Sequence, residues 1–185
     1  MSIKKVQTKL VKLGFGNLLG KSGIDGINGK DTTKSVRMFQ LEYNKKFGKN
    51  ILVDGIAGKQ VNKSLDIWLR NLGTKGSRNF NINEFRCKGT GKLIKMDNKL
   101  IYKLEELRYY FNKPVIINSG YRTPQHNRNV GGAKNSQHLY GRAADVVVKG
   151  VNPSKVYNYA VKHFDGVGKY NTFTHVDTRG YKARF

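Results

Sequence analysis

The stretch NSQHLYGRAADVVV, residues 135 to 148, decides how the second half of this chain folds. Its β-branched end, Val146 to Val148, favours a strand that begins near Asp145. Gly141 argues against one continuous helix that carries both His138 and Asp145. We therefore expect a histidine in a loop and an aspartate at the start of a strand, and these two side chains can converge on one cation.

A third metal ligand is needed, because open catalytic zinc sites usually have three protein ligands plus water. The candidate lies in NTFTHVDTRG, residues 171 to 180, where residues alternate with the period of a strand. The alternation places Phe173, His175 and Asp177 on one face. A second imidazole is thus predicted beside a carboxylate, in another strand.

The residues upstream of these motifs predict a scaffold for them. A helix is expected across residues 97 to 111, with Asp97 as its N-cap. The apolar run Val115 to Ile117 predicts a buried strand that ends in a Ser-Gly turn and presents Arg122 at its end. Residues 123 to 137 contain proline, two adjacent glycines and many polar side chains, and we expect a loop there.

The first part of the chain contains an internal repeat. Residues 25 to 35 read DGINGKDTTKS and residues 54 to 64 read DGIAGKQVNKS, with seven identical positions at an offset of 29. Each Asp-Gly turn precedes apolar residues at helical spacing, and VQTKLVKLGF before them shows the same spacing. Residues 1–70 are therefore predicted to form a small three-helix bundle. The composition of NLGTKGSRN predicts a linker at residues 71–79, with a second domain at residues 80–185.

The chain is strongly basic. It has 35 Lys and Arg against 12 Asp and Glu, which gives a net charge of +23, and it is 38% hydrophobic, as expected for a globular protein. Such an excess predicts a polyanionic partner: nucleic acid, an anionic membrane surface or an acidic wall polymer. The prediction of a nucleic-acid partner rests on the charge alone, since the sequence shows no recognition-helix or stacking-sheet motif.

Cysteine usage and the N-terminal residues exclude further classes of protein. Cys87 is the only cysteine, so neither an intrachain disulfide nor a cysteine-based zinc cluster is expected. The first sixteen residues, MSIKKVQTKLVKLGFG, are interrupted by lysines every few positions. They predict neither a signal peptide nor a membrane span.

Two resemblances give these patterns a function. Residues 1–69 resemble the peptidoglycan-binding domain family, through the D-G-x-x-G turn and the Phe39-Gln40 pair at the end of a helix. From about Phe80 to Phe185 the chain is similar to the M15 family of zinc D-Ala-D-Ala peptidases. That similarity rests on three motifs. The pattern S-x-H-x-x-G-x-A-x-D is formed here by Ser136, His138, Gly141, Ala143 and Asp145. The later H-V-D is residues 175–177, and the upstream S-G-Y-R is residues 119–122.

The second resemblance implies an α+β zinc peptidase domain with a small antiparallel sheet, of the kind shared by hedgehog proteins and DD-peptidases. It implies that His138, Asp145 and His175 bind Zn²⁺. It also implies that Arg122 stabilises an oxyanion or grips a substrate carboxylate, and that Ser136 supports the site by a hydrogen bond.

The resemblance leaves the role of Asp177 open. Some branches of the family have an acidic residue three positions before the last histidine, where this chain has Thr172. Other branches end in His-x-His, where this chain has Asp177 as the second residue. Asp177 is therefore a general base, a hydrogen-bond partner of a ligand, or a ligand itself, and its shared strand face with His175 favours the first two. Asp165 is a weaker candidate for the base.

Together the two resemblances imply a wall-degrading enzyme similar to phage endolysins. Such an enzyme is made in the host cytoplasm without a signal peptide and reaches the wall after release by a separate protein. We expect a monomer that binds peptidoglycan and anionic wall polymers and cleaves a peptide bond next to D-alanine with a zinc-activated water. The alternative is a non-catalytic basic wall-binding protein with a vestigial metal site.

Overall fold

The computed structural model describes residues 2–185, which form seven helices, three short 3-10 turns and a five-stranded sheet. The helices are α1 Ile3–Lys12, α2 Lys30–Phe47, α3 Lys59–Arg70, α4 Leu72–Lys75, α5 Asn98–Phe111, α6 Pro124–Asn129 and α7 Pro153–His163. The strands are β1 Val115–Ser119, β2 Ala143–Val148, β3 Gly166–Lys169, β4 Thr174–Asp177 and β5 Ala183–Arg184. Within the described residues, no helix has both the length and the apolar character needed to cross a bilayer.

The first three helices form the predicted three-helix bundle around an aromatic centre. Phe15, Phe39 and Trp68 are fully buried, and their ring centroids lie 5.7 to 5.8 Å apart. Two of these three ring pairs meet edge to face, an arrangement that adds to the free energy gained from burial alone. The periodic apolar residues seen in the sequence thus converge on one core.

The segment predicted as a linker, residues 71–79, is packed chain in the structure. Leu72 is buried, the Trp68 indole N–H donates to the Gly76 carbonyl at 2.9 Å, and the Arg78 amide donates to the Leu13 carbonyl at 3.0 Å. One continuous hydrophobic core runs through both parts of the chain. Composition suggested a free spacer, whereas a single large apolar side chain and these backbone hydrogen bonds hold the segment in place.

The second part is an α+β unit, as predicted. Its sheet has the strand order β1-β2-β4-β3-β5, and α5 and α7 pack against it. The neighbouring strands run antiparallel except for β3 and β5, which are parallel. The expected antiparallel sheet therefore gains one short parallel edge, formed by the last residues of the chain.

The residues between β1 and β2 were expected to be a loop, and part of that expectation is wrong. They contain the helix α6, because Thr123 supplies an N-cap hydroxyl that accepts from the His126 amide at 3.3 Å and Pro124 suits the first helical position. The helix expected near residues 97 to 111 is confirmed as α5, and the Asp97 carboxylate caps it by accepting from the Lys99 amide at 2.9 Å.

Candidate metal centre

The sheet brings two of the predicted ligands together by strand register. Asp145 on β2 and His175 on β4 are directly opposite residues of an antiparallel pair, so their side chains project from the same face. His138 lies on the 3-10 turn Gln137–Tyr140, which ends at Gly141 in the left-handed conformation with a φ of 65°. That turn folds the histidine back over the start of β2.

We call His138, Asp145 and His175 the ligand cluster. One atom of each faces a common point: the Nε2 atom of His138 lies 3.2 Å from Oδ1 of Asp145 and 3.2 Å from Nδ1 of His175. The third side of this triangle, from Nδ1 of His175 to Oδ1 of Asp145, is 2.9 Å. Bonds of about 2.0–2.1 Å in a tetrahedral zinc site place neighbouring ligand atoms roughly 3.3 Å apart. The spacing and the donor set therefore fit zinc.

The hydrogen bonds on the far side of each imidazole determine which nitrogen carries the proton. Nδ1 of His138 lies 2.5 Å from the Gly120 carbonyl oxygen, which can only accept, so Nδ1 carries the hydrogen. Nε2 of His175 lies 3.1 Å from Oδ2 of Asp177 and donates to it in the same way. In its neutral form, each ring thus turns a lone pair toward the Asp145 carboxylate. Three lone pairs facing one point require a cation or an extra proton between them.

Burial and neighbouring groups shift the pKa values of these three residues in different directions. Burial lowers the pKa of His138, although Asp145 opposes this, and the ring is kept in the neutral form that binds metals. Burial alone would raise the pKa of Asp145, but hydrogen bonds with the two histidines outweigh it and lower that pKa. Burial also lowers the pKa of His175, yet the carboxylates on either side, Asp145 and Asp177, raise it overall.

Asp177 lies behind His175 and is fully buried. Its Oδ2 atom accepts from His175, and Arg179 donates from Nε to Oδ1 at 2.9 Å and from Nη2 to Oδ2 at 2.6 Å. Burial raises the pKa of Asp177, but the hydrogen bonds from His175 and Arg179 lower it to about 2. Gly166 on β3 makes room for this carboxylate, since a Cβ atom there would lie 2.1 Å from Oδ2. Asp177 is not one of the three converging ligands.

Arg122 contacts the ligand cluster from the other side. Its Nη2 atom donates to Oδ2 of Asp145 at 2.5 Å, and its Nε atom donates to the Ser119 hydroxyl at 2.9 Å. The backbone amide of Arg122 also donates to the His138 carbonyl at 3.1 Å. The guanidinium therefore neutralises Oδ2 of Asp145, the oxygen that faces away from the common point of the three ligand atoms. The sequence did not predict this contact.

A cavity of about 690 Å³ lies in front of the ligand cluster. Arg122 and Arg179 supply positive charge to its lining, and Asp145 is the one acidic residue there among the described residues. One side is aromatic and is formed by Tyr170, Phe173, Tyr181 and Phe185.

Arg179 and Phe185 were missed by sequence reasoning. The Phe185 ring lies 5.3 Å from the ring of His175, and the Arg179 guanidinium lies 5.5 Å from that of Phe185. Arg179 directly follows the H-V-D-T stretch and could have been noticed there, whereas nothing near Phe185 in the sequence links it to the site.

Two other candidates have different surroundings from those expected. Asp165 accepts from the Lys99 ammonium at 2.9 Å and from the Gly180 amide at 3.0 Å, and it does not line the cavity. Ser136 does line the cavity, but within the described residues its hydroxyl makes no hydrogen bond to His138, Asp145 or His175, contrary to the expectation.

Comparison with known proteins agrees with both parts of the fold. A family model described as Peptidase M15 matches residues 78–177, and one described as a putative peptidoglycan binding domain matches residues 2–65. The chain is 47% identical over 47 residues to the zinc D-Ala-D-Ala carboxypeptidase of Streptomyces albus G. That alignment covers 25% of this chain and 18% of the relative, so the chain spans less than a fifth of the relative's length.

Proposed function

The chain belongs to the Peptidase M15 family, and from this membership we propose that it is a zinc peptidase that cleaves bacterial peptidoglycan. The observation that carries the proposal is the convergence of three lone pairs, from His138, Asp145 and His175, on one point at the floor of a cavity. A bound zinc ion supplies a Lewis acid that polarises a peptide carbonyl and lowers the pKa of a water molecule.

The residues around the ligands hold them in place. Asp177 accepts from Nε2 of His175, so that Nδ1 faces the point where zinc would bind, and Arg179 donates to both oxygens of Asp177. Partners of this kind orient metal-binding histidines and set their tautomer. We therefore assign Asp177 an orienting role and not that of general base, because its oxygens are already taken by His175 and Arg179.

The cavity suits an anionic peptide. Arg122 and Arg179 both line it; each uses Nε and Nη2 within the chain, and the Nη1 group of each, which makes no hydrogen bond in the described residues, can donate to a carboxylate or a developing oxyanion. The stem peptides of peptidoglycan carry free carboxylates, and the relative named above acts on D-Ala-D-Ala. The substrate that fits this charge best is a stem peptide or cross-link, cut next to D-alanine.

The helical part and the net charge support the same target. Residues 2–65 match a peptidoglycan-binding model, and a net charge of +23 favours association with anionic wall polymers. We propose that the protein acts on the wall as a monomer, in the manner of a phage endolysin that reaches the wall after release from the host cytoplasm.

The test is digestion of purified peptidoglycan followed by mass spectrometry of the released fragments. We expect new termini next to D-alanine with the zinc-loaded protein, none after treatment with a chelator, and recovery when zinc is restored. Full fragment release by the metal-stripped protein would overturn the zinc mechanism. Binding to peptidoglycan without fragments from the zinc-loaded protein would favour the non-catalytic alternative.

A further inference from the structure

The internal repeat of the helical region folds into two equivalent arrangements, which we call the turn clamps and which share two hydrogen bonds. In the first, Nε2 of Gln7 donates to Oδ1 of Asp25 at 2.7 Å, and Oε1 of Gln7 accepts from the Gly26 amide at 2.8 Å. In the second, Gln40 makes the same two hydrogen bonds to Asp54 and Gly55, each at 2.8 Å. Each clamp ties an Asp-Gly turn to the helix before it.

Four of the seven identities in the repeat have a structural explanation, and two of these four belong to the turn clamps. The aspartates accept from the glutamines, and the glycines that follow them, Gly26 and Gly55, have positive φ angles of 84° and 76°. The later glycines are the N-caps of α2 and α3, and the serines that end the repeat are buried. These four positions are retained for structural reasons.

The other three identities have no structural explanation. Ile27 and Ile56 sit at the tips of the two turns, and each is 64% exposed to solvent. The shared lysines that follow are also exposed, and they are Lys30, Lys34, Lys59 and Lys63. Each repeat therefore presents one aliphatic side chain and two positive charges outward, with the same spacing in both copies.

We propose that Ile27 and Ile56, with their lysines, are two equivalent contacts for peptidoglycan. This inference rests on the proposed function. A ligand for two equal contacts is itself a repeating polymer, and each repeat of peptidoglycan offers methyl groups to the isoleucine and carboxylates to the lysines. A glycan strand that reaches both contacts would bind more strongly through effective concentration, without any change in the catalytic part.

The test is sedimentation binding to purified peptidoglycan by full-length Ile27→Ser, Ile56→Ser and the double variant. Because each of these isoleucines is 64% exposed, covering it on binding predicts a loss of about fivefold in affinity for each single variant. Independent contacts then predict a loss of about 25-fold for the double variant. The matched control is Ile116→Ser, which removes a 48% exposed isoleucine from β1 and is expected to bind as the wild type does.

Several outcomes would overturn the inference. These are wild-type binding by both single variants, a loss no larger than that of Ile116→Ser, or a loss seen only on walls that still carry teichoic acids. A change from dimer to monomer with unchanged wall binding would identify a second copy of the chain as the occupant instead. Hydrolysis of a soluble stem peptide separates this inference from the proposed function. The variants are expected to keep that activity, whereas a wild type that neither binds nor cuts peptidoglycan contradicts the proposed function.

Discussion

The turn clamps and the ligand cluster are both built from polar side chains drawn from separate segments, but their atoms meet different partners. In the clamps, the glutamine oxygen meets an N–H and the glutamine N–H meets a carboxylate. In the cluster, three lone pairs meet one another. Buried polar side chains alone therefore do not mark a functional site. A cluster in which hydrogen-bond acceptors outnumber the N–H and O–H donors does. The hydrogen bonds of the clamps are complete within the chain, whereas the cluster requires a cation or an extra proton between its three acceptor atoms.

Removing a ligand from the cluster is expected to have the largest effect. His138→Ala leaves two of the three proposed ligands. Mutation of a hydrogen-bond partner of a metal ligand already lowers metal affinity or activity by about 10–100-fold, so we expect loss of a ligand itself to lower fragment release by more than about a hundredfold. The zinc content of the purified variant should fall well below one ion per chain. His163→Ala is the matched control, because that histidine is exposed on α7 and lies outside the cavity. Normal zinc content in His138→Ala would contradict the inference that the ligand cluster binds zinc.

Removing a partner of the cluster tests whether the orienting contact matters. Asp177→Asn replaces the charged acceptor of His175 by an amide, and we expect about 10–100-fold weaker zinc binding in competition with a chelator. Asp165→Asn is the control, because Asp165 also pairs with a cation but does not contact the cluster. Unchanged zinc affinity with abolished hydrolysis would instead make Asp177 the general base.

Breaking a turn clamp is expected to lower stability without changing zinc binding. Gln40→Ala leaves the Gly55 amide without its acceptor and Oδ1 of Asp54 without the donor from the glutamine, which predicts a loss of about 1–3 kcal/mol in the free energy of unfolding by urea. Gln7→Ala should cost at least as much, because Gln7 makes the same two hydrogen bonds and also donates to the Ile27 carbonyl and the Thr32 hydroxyl. Gln60→Ala, at an exposed position on α3, is the control. Loss of zinc binding in either clamp variant would show that the two regions are coupled.

The same contrast explains how far the sequence predicts this structure. The shared face of His175 and Asp177 was visible because strand alternation is a local pattern, whereas a joint role for Asp145 and His175, which pair across β2 and β4, was implied only by the family resemblance. The clamps were visible only as a repeat, since Gln7 lies 18 residues from Asp25 and no local rule links them. Phe185 reaches the cavity through a two-residue strand that pairs with β3, a long-range contact without a sequence signal.

The predicted linker shows the limit of composition. Residues 71–79 are rich in glycine and polar residues, yet they meet partners supplied by distant segments. Glu105 on α5 accepts from the Ser77 hydroxyl at 2.5 Å and from the amide and side chain of Asn79 at 3.0 and 2.9 Å. A carboxylate buried in the next helix, which composition does not reveal, thus orders part of this segment.

Glu105 is an intermediate case between the clamps and the cluster, because donors surround a carboxylate that is nevertheless buried. Burial raises its pKa above 4.5, although the hydrogen bonds from Ser77 and Asn79 oppose this. A raised carboxyl pKa means that the folded chain binds the proton more tightly than the unfolded chain does. The stability from this group is therefore complete below about pH 4.5 and is lost as the pH rises through the folded-state value.

Glu105→Gln removes that titration and gives the smallest of the expected effects. Relative to the variant, the wild type should lose stability above about pH 4.5, by at most about 1.4 kcal/mol per pH unit. Urea unfolding of both proteins between about pH 4 and pH 8 measures the difference. A constant difference across this range would mean that the surrounding donors cancel the effect of burial. Glu105 would then resemble the clamps, whose charged group is fully satisfied by hydrogen bonds within the chain.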